Sequence, residues 1–152
     1  MAPQPTPFTG QFPYQVDDRN RVPVPPPFRV SFRDGGYLSP GTGDFLVLHT
    51  PESFAQASDF VERFPEESDD GNDIRRDFYS NTYPVQLDGQ GRVVIDRGLS
   101  ALVGLSRNVL VVGTGRRLEI WDQTTWDALQ TARRTLRHAA FNAQRATPGG
   151  ES

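Results

Sequence analysis

The chain has 152 residues, of which 36% are hydrophobic and 23% charged, enough apolar content for one compact domain or two small intertwined halves around a real core. It contains no cysteine, which excludes disulfides, thiolate metal sites and cysteine nucleophiles. The net charge of −3 runs against nucleic-acid binding for the chain as a whole, but all 16 basic residues are arginine, and a local cluster rather than the total sets the field a phosphate feels.

The opening MAPQPTPFTG has neither the basic nor the apolar stretch of a signal peptide. No apolar run approaches the ~18 residues of a membrane span, so a cytoplasmic protein with no membrane partner is expected. Residues 1–9, with three prolines, read as a disordered arm. Phe12, Tyr14 and Val16 then alternate as a strand, DDRNR (Asp17–Arg21) supplies a turn at Arg19-Asn20, and Arg21–Val24 returns. PPPFRVSF predicts a short helix opened by prolines. Leu46–Phe54 reads as strand, break and helix. The helix is expected over Pro51–Phe64, capped by Thr50, with Phe54, Ala57, Phe60, Val61 and Phe64 on its apolar face. Glu67–Asp73 reads as an acidic solvated hinge; it lacks the spacing and closing glutamate of a calcium loop. A helix over Ile74–Ser80 leads out of it.

The pattern then starts again. Tyr83, Val85 and Leu87 alternate, DGQGR (Asp88–Arg92) turns at Gln90-Gly91, Arg92–Ile95 returns, and RGLSALVG is helical. Strands Asn108–Thr114 and Arg117–Trp121 meet at a turn on Gly115, where Gly113–Gly115 is too short for a dinucleotide fingerprint. A helix over Gln123–Gln144, capped by Asp122, is expected to turn Trp126, Leu129, Ala132 and Leu136 inward; its basic end, Arg134–Arg145, suits the helix dipole. The tail from Ala146 reads as disordered.

The repeat is the most informative feature. Asp17 and Asp88 are separated by 71 positions, as are Arg21 and Arg92, and LVLHTPESF matches LEIWDQTTW at an offset of 72. In a tight turn, a carboxylate four residues before a guanidinium can reach across and hold it by a charge-assisted hydrogen bond. Such a pair either pins its turn and nothing more, or aims the arginine head outward for a phosphate or base, lowering the ordering cost of binding. His49 and His138 have no partner cluster, so neither a metal site nor a catalytic base is indicated, and no nucleophile–base set points to a hydrolase.

Two D-x-x-x-R motifs, each between strands and each followed by a matching strand–helix unit, resemble the MraZ family of transcription regulators. The resemblance runs from about Gly10 to Leu136 and includes RRDFYSNTYPVQLD and LEIWDQTTWDAL. It implies an α+β fold, a tandem pseudo-symmetric swapped-hairpin (AbrB-like) β-barrel with short flanking helices. The half-domains would cover 10–65 and 81–145, joined by an acidic hinge and linker helix over 66–80, with a disordered arm at 1–9 and tail at 146–152. It also implies a non-enzymatic, sequence-specific DNA-binding regulator of the cytoplasm and nucleoid. Such a protein represses the division and cell-wall gene cluster and its own promoter, and assembles into a ring-shaped homo-oligomer. The partner is double-stranded promoter DNA carrying direct repeats, with no cofactor and no small-molecule substrate.

By this resemblance Arg19, Arg21 and Arg92 are the DNA contacts, and Asp17 and Asp88 position them. Arg19 keeps the basic residue usual in the first motif, whereas Gln90 stands at its place in the second. Asp96 replaces the usual proline after the second returning strand. Both departures lower the expected share of the second loop. The rival reading is an AbrB-like antitoxin or protein-interaction scaffold.

Overall fold

In the computed structural model, which describes residues 6–146, the repeat becomes a twofold pattern of strand pairing. The first half supplies β1 (Gln11–Gln15), β2 (Arg21–Pro23), a 3-10 helix (Pro26–Phe32), β3 (Gly36–Pro40), β4 (Phe45–His49) and α1 (Pro51–Glu62). After α2 (Asp69–Ser80) come β5 (Tyr83–Val85), β6 (Arg92–Val94), α3 (Arg97–Leu102), β7 (Asn108–Gly113), β8 (Arg117–Asp122) and α4 (Gln123–Ala146). One antiparallel sheet runs β1-β7-β8-β4-β3-β5, and β2 and β6 form a separate two-stranded ladder. Exchanging each strand for its counterpart in the other half reverses this order without changing it. The axis of the repeat therefore passes between β4 and β8, and between β2 and β6.

Each first-half strand has a second-half neighbour, so neither half closes its own core. The fold is mixed α+β with an open six-stranded sheet, and the described residues form no closed barrel. The run VLVV (Val109–Val112) is apolar throughout because β7 is covered on both faces. Val109 and Val111 enter the main core with Val22, Val24, Leu46, Leu48, Val93 and Ile95, while Leu110 and Val112 meet Trp121 under the root of α4. Among the described residues the strand prolines stand where a missing N–H is tolerated: Pro13 and Pro84 are on the edge strands β1 and β5, Pro23 ends β2 in a two-stranded ladder, and Pro40 ends β3.

Several elements differ from what the sequence predicts. The arm is not disordered at Phe8, which is 4% exposed and exchanges two backbone hydrogen bonds with Gly115 at 2.7 and 2.8 Å. Its ring packs 4.9 Å from Phe28 and 5.6 Å from Phe32, a core contribution large enough to order the chain there. Residues 1–5 of the expected arm and 147–152 of the expected tail lie outside the described residues, and Ala146 still belongs to α4. Much of the expected hinge is helix. Ser68 caps α2 by accepting from the Gly71 N–H at 2.9 Å, and Asp69 and Asp70 complement the positive end of the helix dipole. Strand β3 has no counterpart among the predicted elements.

Thr50 caps α1 as expected, its hydroxyl accepting from the Ser53 N–H at 3.0 Å. Val61 is buried, but Phe60 is 59% exposed. Along α4, Trp126 is partly buried while Leu129 and Leu136 are 40% and 71% exposed and Ala132 is also exposed, so only the root of the helix is covered. That root is fixed by Arg133, whose guanidinium lies 4.1 Å from the Trp121 ring and 4.9 Å from Trp126.

Candidate nucleic-acid interface

The two D-x-x-x-R motifs form the same turn twice. In the first, the Asp17 N–H donates to the Arg21 carbonyl at 3.2 Å and the Asn20 N–H to the Asp17 carbonyl at 3.0 Å. In the second, Asp88 and Arg92 make the first of these bonds at 2.9 Å, and Gly91 and Asp88 the second at 3.0 Å. Both turns need a left-handed residue: Asn20 has φ 59° and Gly91 φ 76°.

Each aspartate organises its own turn. One Asp17 oxygen accepts from the Arg19 and Arg21 N–H groups at 3.0 and 2.9 Å, and the other accepts from Arg21 Nε at 2.7 Å. One Asp88 oxygen accepts from the Gln90 and Arg92 N–H groups, both at 2.9 Å, and the other from Arg92 Nε, again at 2.9 Å. Burial pushes the Asp17 carboxyl up, but the Arg21 and Arg19 hydrogen bonds and the Arg21 charge outweigh it and hold it below the usual carboxylate range. At Asp88 the Arg92 N–H is the main cause of a downward shift, which burial opposes and Gln90 and the guanidinium reinforce.

Pairing of β2 with β6 sets Arg21 opposite Val94 and Pro23 opposite Arg92, bringing the two turns together. Arg21 Nη1 lies 3.7 Å from Asp88, and Arg92 Nη1 lies 3.7 Å from Asp17. The four side chains form a closed, charge-neutral quartet of two guanidinium and two carboxylate groups, each between 22% and 33% exposed. Each head is thus held through Nε by its own aspartate and turns Nη1 toward the aspartate of the opposite turn, a partly buried arrangement. Arg19, by contrast, is exposed, and among the described residues no ion pair engages it.

Crossing of the strands also moves Asp96. It caps α3 by accepting from the Leu99 N–H at 3.2 Å, and the neighbouring Ile95 exchanges hydrogen bonds with Asn20. Asp96 therefore stands beside the first loop, not the second, and that reason for a weaker second loop fails. The adjacent Arg97 is exposed and donates to the Asp18 carbonyl at 3.3 Å, which places a second-half cation on the first loop.

The converse holds at the second loop. Asn20 donates its side-chain amide to the Ile95 carbonyl and, at 3.1 Å, to Ser100. Gly91 has no side chain to do this, and Arg29 takes the place, donating Nε to the Val24 carbonyl at 2.8 Å. A Cβ on Gly91 would lie 2.2 Å from Arg29 Nε. Arg29 and Arg97 escape a reading of the motifs alone. The signal for Arg29 is the exchange of the pair Asn20 and Ser100 for Gly91 and Arg29 at the repeat offset.

A family model described as "MraZ protein, putative antitoxin-like" matches residues 78–146. A protein of Dehalococcoides mccartyi named Transcriptional regulator MraZ is 32% identical over 129 residues, covering 82% of this chain and 89% of the relative. The chain belongs to the MraZ family. Relatives of the same name in Thermomicrobium roseum and Deinococcus radiodurans are 32% and 35% identical, over 80% and 78% of this chain and 85% and 84% of their own lengths. The family model spans the second motif and all that follows it, whereas these relatives cover most of the chain. No helix of the described residues is long and apolar enough to cross a membrane, and no group of three or more potential ligands for a metal ion occurs among them.

Proposed function

We propose that this MraZ-family chain is a sequence-specific DNA-binding transcription regulator without enzymatic activity, acting on double-stranded promoter DNA in the cytoplasm and nucleoid. The observation that carries the reading is the convergence of two exposed turns on one neutral arginine–aspartate quartet, bordered by Arg19, Arg29 and Arg97. A guanidinium offers five donors, and Asp17 and Asp88 engage only the inner ones of Arg21 and Arg92. The outer donors are held ready for phosphate oxygens or a guanine edge. Arg19, Arg21 and Arg92 are the proposed contacts, positioned by Asp17 and Asp88. The three flanking cations outnumber the two nearby carboxylates, Asp18 and Asp96, and give the border of the neutral quartet a net positive charge.

The inter-half strand pairing supports a swapped-hairpin, AbrB-like architecture of two half-domains, 10–65 and 81–145, around the linker at 66–80. The family further suggests a ring-shaped homo-oligomer that represses the division and cell-wall gene cluster and its own promoter. Head-to-tail subunits present the same loops around a rim, which calls for direct repeats about one helical turn, roughly 10 base pairs, apart. The second reading, an antitoxin or interaction scaffold, draws on the uncovered apolar stripe of α4.

Anisotropy titration of a duplex spanning the region upstream of the chain's own coding sequence, followed by footprinting, tests the proposal. Salt-dependent binding with repeated protection in one orientation is expected. No binding above that of an unrelated duplex overturns sequence-specific regulation, and one palindromic footprint overturns the direct-repeat site.

A further inference from the structure

The charges of this molecule are segregated between its helices. From Leu129 to Arg145 helix α4 carries Arg133, Arg134, Arg137 and Arg145 and no carboxylate. From Glu52 to Asp77, across α1 and α2, the chain has nine carboxylates against three arginines. Helix α4 packs against β7 and β8, while α1 and α2 pack on each other and α1 on β3 and β4.

Each surface also exposes apolar groups. The stretch of α4 beyond its root is about 25 Å long. It carries Leu136 and Phe141, 71% and 62% exposed, beside its arginines. Between α1, α2 and the end of α3 lies an open groove of about 540 Å³, floored by Val61, Ile74, Phe78 and Val103 and edged by Asp44 and Asp77. Leu102 stands at its lip, 59% exposed.

We propose that α4 of one copy docks into this groove of the next, Phe141 covering its apolar floor and Arg134 and Arg137, seven and four residues before it on the same helix face, facing Asp44 and Asp77. An apolar floor with an acidic edge fits a helix face that carries Phe141 beside arginines and, from Leu129 on, no carboxylate. Two α4 helices side by side would set like charges together, and a DNA backbone against the arginine face would leave Phe141 uncovered. Donor and acceptor surfaces differ, so the contact is head-to-tail, and repetition gives a ring when the rotation closes. The inference rests on the self-assembly proposed above and names the two surfaces that carry it.

Sedimentation velocity on the full chain tests it by charge exchange. R134E/R137E and D44R/D77R are each expected to raise the concentration of half-assembly by ~10-fold or more, and their equimolar mixture to recover association. Phe141→Ser should weaken assembly with no change of charge. Far-UV circular dichroism verifies that each variant is folded. A wild-type chain that stays monomeric overturns the docking and the ring together. Wild-type assembly that survives both reversals overturns the docking alone. So does loss of duplex binding by R134E/R137E with assembly intact, which assigns α4 to DNA.

Discussion

The two motif loops share a skeleton and differ in what completes it. Asp17 and Asp88 accept the same three hydrogen bonds from their own turns, and Asn20 and Gly91 take the same left-handed conformation. Around them, the first loop carries Arg19 and borrows Arg97 from the second half, while the second has Gln90 and borrows Arg29 from the first. A repeat whose strands cross does not keep its charges in its own half. A charge count along the sequence therefore assigns them to the wrong loop. The corners beneath the helices differ too: His49 and Phe54 of the first half stand where Trp121 and Trp126 stand in the second.

The largest effects are expected in the quartet. Arg21→Ala and Arg92→Ala each remove donors to phosphate and leave two carboxylates facing one guanidinium. Each is expected to weaken duplex binding by about 1.5–3 kcal/mol and to lower the slope of log affinity against log salt by roughly 1. Because the quartet is symmetric, the two losses should be alike. A tenfold difference in dissociation constant between them would break the comparison.

Acid should separate the two corners. Burial, aided by the nearby Arg117 charge, pushes the His49 imidazole down to about 4, with its Nδ1 3.2 Å from the Ser53 hydroxyl. The folded state thus takes up its proton at lower pH than the unfolded state. Stability is fully present above about 6.5 and falls as pH drops from there to about 4, by on the order of 2 kcal/mol after allowance for residual solvent. Thermal melts across that window should show the slope, and His49→Phe should flatten it. An equally steep slope in the variant would place the acid sensitivity elsewhere.

Gly91→Ala sharpens the comparison of the turns. It strains a positive φ and drives a Cβ into Arg29, so a loss of about 1–2 kcal/mol in denaturant stability is expected. Asn20→Gly keeps the backbone but strips the Ile95 carbonyl of its side-chain donor, a loss of about 1 kcal/mol. If Gly91→Ala proves neutral, Arg29 is not held where Asn20 stands in the first loop.

The smallest effects are a pair of opposite sign. Arg19→Gln should lower, and Gln90→Arg raise, duplex affinity by a few-fold, each changing the salt slope by roughly 0.9. No response to Gln90→Arg would mean that Arg29 already saturates that loop.

What the sequence made legible was local. The Asp-to-Arg spacing of four, the left-handed Asn20 and Gly91, the Thr50 cap and the β7–β8 turn at Gly115 depend on neighbours within a few residues. The quartet depends on β2 meeting β6 across 71 positions, and nothing in either motif encodes that distance. Strand β3 is not legible because GYLSP is short, is flanked by glycines and ends in proline, although Leu38 and Ser39 are buried. The inward face assigned to α4 failed for a related reason: periodicity shows that a helix has an apolar stripe, not what covers it.

The central claim is that the two loops act as one charged unit, and a double-mutant cycle on duplex affinity with Arg21→Ala, Arg92→Ala and the double variant tests it most directly. Residues 3.7 Å from a shared set of carboxylates should be coupled, so the double variant should lose less than the two single losses combined, by about 1 kcal/mol or more. Losses that add within about 0.3 kcal/mol would show two independent contacts and contradict the quartet as the functional unit.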